Sequence, residues 1–272
     1  MRGASRLTDA LAAARIFAGP LPEGRGSPAR SAVPSVPRGT EGWSEASRRS
    51  VLDPLGRSGA PAPGGSRRRL LLPFREAEGV RTTAAPARQV DQTTCGSAVL
   101  TMLAMAGDPR LAAWVAADPG PRFDALQRRA HRATSRAGLL RWPQALGTPP
   151  WAAAAVARYG DVRYTHRVIG RGARAAGVQR AAVAATASGT PVPIFSGGDL
   201  AAGWQAAVPR HVVLLTVADA ETVQIYEPSS ATIHAVPLTV LVAPDAAAPA
   251  DRALLTRALG NWPHPVWAVL PT

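Results

Sequence analysis

At 272 residues the chain can hold one large domain or two small ones, and its net charge is +13. Every basic side chain is arginine and lysine is absent, which with abundant Ala, Gly and Pro reads as coding bias more than as a designed basic surface. No apolar run reaches the length that spans a bilayer, which argues against a helical membrane protein.

Residues 1–80 are dense in Pro, Gly, Ser and Arg. Such a stretch buries too little apolar surface to offset its ordering entropy, so most of it is expected to be disordered. The exception is 7–17, where Leu7, Leu11 and Ile16 would line a short helix. Arg67-Arg68-Arg69 is the densest basic cluster. No aromatic residue interleaves with it, so it reads as a solvated linker patch, and nucleic acid is not an expected partner. Ser47-Arg48-Arg49-Ser50 has the look of a twin-arginine export signal, but Asp53-Pro54 breaks it and no apolar region follows. Together with the single cysteine, this gives a cytoplasmic expectation.

Residues 81–272 read as one folded domain. A helix is expected over 98–106, with Val99, Met102, Leu103 and Ala106 on one face and Thr94 as its N-cap. Gly107-Asp108-Pro109 stops it. Further helices are expected over 111–117 and 123–133, then a loop over 139–151 whose Trp142 and Trp151 either wall a cleft or pack on the core. Next come a helix over 151–159, a strand over 162–168, a helix over 171–188 with Val178 and Val183 inward, and a strand over 191–195. Residues 211–217 and 222–227 read as paired strands around the polar turn 219–221. Runs at 232–237 and 266–270 complete a mostly antiparallel sheet. Helices first and strands later make the fold class α+β. There is no paired Cys/His spacing for zinc, so neither metal nor cofactor is expected.

The chemistry centres on Cys95, the only cysteine, at the start of an apolar helix. Free backbone N–H groups and the helix dipole favour a thiolate there, and the thiolate is the form that attacks carbonyls. A lone cysteine is equally often a small core hydrophobe. A nucleophile needs a histidine to take its proton and a third group to orient the ring. His211 opens a buried strand and can aim its ring out of the sheet edge. The hairpin register can bring Glu227, at the end of the next strand, beside it. His131 lies in an arginine-rich run and is expected to be solvated. His166 and His234 sit at alternating strand positions, and His264 lies between two prolines, where a loop is expected.

The pattern Gln89-x5-Cys95-Gly96, a small-residue helix, then His211-Val-Val-Leu-Leu and Tyr226-Glu227-Pro228 resembles the papain-like cysteine peptidases that process double-glycine leaders of bacteriocins. The resemblance covers roughly 80–272. It implies a papain-like fold, Cys95 as nucleophile, His211 as base and acid, and Gln89 as oxyanion donor. The family's aspartate before proline is here Glu227, one methylene longer. Gln92 is a second candidate donor whose spacing fits less well. The chain lacks a transporter and a phosphate loop, so it resembles the stand-alone form. What this implies is a thiol-dependent hydrolase cleaving a peptide or protein substrate. An acyl transferase with the same triad, or an inactive peptide-binding module of the same fold, stays open.

Overall fold

The computed structural model describes residues 6–15, 17, 19–22, 37–58, 63–138, 141–198 and 209–272. Two helices come first, α1 (Leu7–Ala13) and α2 (Glu45–Leu52). The Ser44 hydroxyl caps α2 by accepting from the Ser47 amide at 3.2 Å. The short strand β1 (Arg67–Arg69) follows, then the two-stranded ribbon β2 (Glu76–Ala77) and β3 (Val80–Arg81).

The next stretch carries no charged residue, and it forms α3 (Cys95–Gly107), in which every side chain except those at 104 and 107 is buried. The expected single apolar face is therefore an apolar cylinder, the signature of a helix inside the core. It is enclosed by α4 (Pro109–Ala116), α5 (Pro119–Arg136), α6 (Pro150–Val156) and the sheet. All three enclosing helices have proline in the first turn, where its missing N–H has no helical partner to lose. The buried face of α5 runs Phe123, Gln127, His131, Thr134, Ser135. His131 is thus buried rather than solvated, since its place in that periodicity outweighs its arginine neighbours.

The remaining chain supplies β4 (Tyr164–Val168), α7 (Gly172–Ala187), β5 (Val192–Gly197), β6 (His211–Ala218), β7 (Thr222–Glu227), β8 (Thr232–Pro237), α8 (Leu238–Val242), α9 (Pro249–Ala258) and β9 (His264–Pro271). Seven strands form one antiparallel sheet in the order β1-β8-β7-β6-β5-β9-β4. Side chains alternate between its faces. Val212, Leu214 and Tyr226 join α3–α6 in one core, whereas Val213, Leu215 and Ile225 join α7–α9 in another. The α+β expectation and each expected strand are recovered. His264 lies not in a loop but at the first position of β9, opposite Gly197. Among the described residues no helix is long and apolar enough to cross a membrane.

In the described part of the segment before residue 80, apolar side chains already pack into the core. Val51, Leu55, Leu70 and Leu72 are all buried in the helical-side core. β1 pairs with β8, Leu72 donates to the Ala85 carbonyl at 2.9 Å, and Ala87 donates to that of Leu70 at 3.0 Å. Average composition conceals these short apolar runs between the Pro- and Arg-rich stretches. In α1, Leu11 packs on the core but Leu7 is exposed, and Ile16 lies outside the described residues. The disorder expectation for 23–36 and 59–62 also lies outside them.

Leu72→Ala is expected to cost about 2–5 kcal/mol by chemical denaturation, the range for truncating a buried leucine. An unchanged midpoint would show that this segment is not part of the core.

Candidate active site

Cys95 occupies the first turn of α3 and is 5% exposed. The turn before it is built by Asp91, whose carboxylate accepts from the Thr93 amide at 2.8 Å and the Thr93 hydroxyl at 2.7 Å. Thr94 stands at the N-cap, yet its side chain makes no capping bond. Its hydroxyl accepts from the Asp91 amide at 2.9 Å and donates to the Asp91 carbonyl at 3.0 Å. The first N–H groups of α3 therefore keep their polarity for whatever sits beside the sulfur.

His211 begins β6 opposite Ser196 of β5. Its ring hydrogen-bonds Glu227, and the Cys95 side chain lies close enough to favour the ring's charged form. The hydrogen bond, His211 Nε2 to Glu227 Oε1, is 2.7 Å long and buried. Nε2 is thereby taken, which leaves Nδ1 as the ring nitrogen for the sulfur. Glu227 ends β7, and its carboxylate also accepts from the Ser229 amide at 2.8 Å, the Ser230 amide at 2.8 Å and the Ser230 hydroxyl at 2.6 Å. The longer side chain reaches the ring without loss of that anchorage. Three of the four residues singled out in the sequence thus meet at one end of the sheet.

Burial opposes charge on His211, but the hydrogen bonds to Cys95 and Glu227 and their charges outweigh it and push the imidazole up to about 10. Burial would likewise raise Glu227; the His211 contact and the Ser230 and Ser229 bonds instead bring it down to about 2. The pair is an imidazolium facing a carboxylate.

Gln89 is placed differently from the expectation. Its backbone amide donates to the Pro228 carbonyl at 2.9 Å, which ties it to the residue after Glu227. Its side-chain Nε2 donates to the Asp91 carbonyl at 2.7 Å, so that donor serves the loop, and its Oε1 is buried without a partner. Gln127 holds the same loop through Val90 and Arg88. Gln92 is exposed.

Two contributors escaped the sequence reading. A Cβ on Gly260 would fall 2.2 Å from Cδ2 of His211 and 2.6 Å from its Nε2, and Gly260 has φ +71°. Only glycine fits there, and its backbone forms a wall for the imidazole. Thr148 lies on the first turn of α3, 2.7 Å from where a Cβ on Gly96 would sit. The hydroxyls of Thr148 and Ser97, flanking the sulfur's turn, are both buried without partners. Neither position has a local signal, because each depends on a contact distant in sequence. Trp142 and Trp151 meet edge to face with centroids 5.3 Å apart, and Trp151 stacks on Phe17. Among the described residues no cluster of His, Cys, Asp or Glu could hold a metal ion.

No protein-family model matches this chain, and no curated protein matches it.

Gly260→Ala adds a left-handed backbone cost of about 1–2 kcal/mol and forces the His211 ring to move. A lower melting temperature together with slower alkylation of Cys95 is expected; an unchanged alkylation rate would mean the wall does not set the ring. The raised His211 contributes stability fully below its ordinary 6.5 and loses it as pH rises through about 10. The lowered Glu227 contributes fully above its ordinary 4.5 and loses it as pH falls through about 2. The stability gap between the natural chain and Glu227→Gln should therefore be widest between those two ordinary values and narrow on either side. A gap flat across pH in urea titrations would rule out an ionised pair.

Proposed function

We propose that the chain is a thiol-dependent hydrolase with papain-like architecture, a peptidase that works through an acyl-enzyme on Cys95. The single observation that carries this reading is the convergence of Cys95, the His211 ring and Glu227, with the ring bound to the acid and the Cys95 side chain near enough to favour its charged form. The helix bearing the thiol and the sheet bearing the imidazole and the acid support the same reading.

The steps follow from the atoms. His211, already an imidazolium, holds on Nδ1 the proton given up by the thiol, while its Nε2–H donates to the Glu227 carboxylate and fixes the ring. The sulfur attacks a carbonyl carbon, and the oxygen takes the electron pair. The uncapped N–H groups at the start of α3 stabilise that charge, each such donor being worth roughly 10²–10³ in rate. For Gln89 to join them, its Nε2 has to leave the Asp91 carbonyl. The imidazolium then gives its proton to the leaving amine, the C–N bond breaks, and water releases the acid and restores the thiol.

One observation favours a second reading, a peptide-binding module without turnover. The sulfur is nearly covered, with Thr148 packed on the turn that carries it, and the Gln89 donor is engaged elsewhere.

A peptidyl halomethyl ketone separates the two. Stoichiometric labelling of Cys95, slowed roughly 10²–10⁴-fold by His211→Ala as for loss of a general base, and abolished by Cys95→Ser, is expected of the hydrolase. Labelling at the same slow rate with and without His211 would sink it, and mass spectrometry of the intact chain reads the difference.

A further inference from the structure

Beside Glu227 lies an open groove of about 440 Å³. β1, β8 and the end of α9 enclose it. Strand register places Arg67 opposite His234 and Arg69 opposite Thr232, so those four side chains alternate away from the core that holds Ile233. Arg257 comes from the last turn of α9. Ser229, Ser230, Gly260 and Asn261 complete the rim.

Arg68 is already engaged, donating to the Leu55 and Gly56 carbonyls at 3.0 and 2.7 Å. Arg67, Arg69 and Arg257 are exposed and enter no ion pair among the described residues. Glu227 is the only acid in the lining, and the His211 ring and the Ser229 and Ser230 donors satisfy it. The groove therefore gathers three exposed arginines around one carboxylate that is already paired. His234 is 95% buried by its 5% exposure, its ring lines the groove, and its Nδ1 has no hydrogen-bond partner.

We infer that this groove is a binding site for a small, multiply charged phosphate anion of about pyrophosphate size, held by Arg67, Arg69 and Arg257 with the hydroxyls of Ser229 and Thr232. Planar guanidinium groups suit the paired oxygens of a phosphate. Among the described residues the lining contains no apolar side chain for a lipid tail or a stacked nucleobase to bury against. The volume exceeds what one phosphate fills. The site stands whether or not Cys95 is a nucleophile, because it lies on groups the acyl-transfer steps leave untouched, apart from the shared Glu227.

Calorimetric titration of the full chain with sodium pyrophosphate in 150 mM salt (on the order of physiological ionic strength) tests this. One saturable site per chain and a rise in melting temperature are expected. Arg67→Gln with Arg257→Gln should weaken binding at least about tenfold, as for loss of two charge-assisted contacts. Arg129→Gln, on the outer face of α5, should leave it unchanged, and Cys95→Ser should bind as the natural chain does. An unliganded melting temperature and circular dichroism like those of the natural chain establish that the exposed-arginine variant is folded. Absence of saturation, equal weakening by Arg129→Gln, or displacement by single-stranded oligonucleotides with affinity rising with length would each overturn the proposal.

Discussion

The buried contact between His211 and Glu227 makes demands on most of the surrounding structure. An ionised carboxylate taken out of water needs nearly all of its lone pairs matched. Here the match comes from the imidazole, from two amides of the turn after Pro228 and from the Ser230 hydroxyl. That turn must in turn be fixed, and the Gln89 amide bound to the Pro228 carbonyl does so. The ring needs a wall on its open side, which the left-handed Gly260 backbone supplies after α9. A chain of constraints thus runs from one short contact to β7, β8, α9 and the lead-in to α3.

Tyr226 connects this site to the core. It is fully buried beside Glu227, and its hydroxyl donates to the Ala87 carbonyl at 2.5 Å. Residues 85–87 also pair with Leu70–Leu72. The strand holding the acid, the segment leading to the thiol and the early apolar run are therefore stitched together within a few residues. Loosening the early segment would therefore loosen the approach to Cys95.

Much of the sheet was legible in the sequence because its strands are β-branched runs bounded by turns, as in Val212–Val213 before Asp219 and Val223–Ile225 before Pro228. The three meeting residues were legible because each stands at an element's end, where a polar side chain can leave the core. β1 was not, because three arginines carry no strand signal and only β8 makes them one. α9 was missed because its buried Leu254, Leu255 and Ala258 are sparse among polar and alanine positions. The placement of His131 was hidden by neighbouring arginines, which point outward while its own position falls on the inner stripe. For Gln89, spacing identifies the residue but not its rotamer, and the nearby Asp91 carbonyl takes the amide.

Coverage of the sulfur follows from the same economy of small residues. Gly96 lets the backbone near Thr148 approach the first turn of α3, and Gly147, at φ +73°, lets the chain turn away over Thr93. The result is a close fit with two unpartnered hydroxyls, those of Thr148 and Ser97, at its edge. An unsatisfied buried hydroxyl costs about 1–3 kcal/mol, so this seam is the least stabilised contact around the thiol.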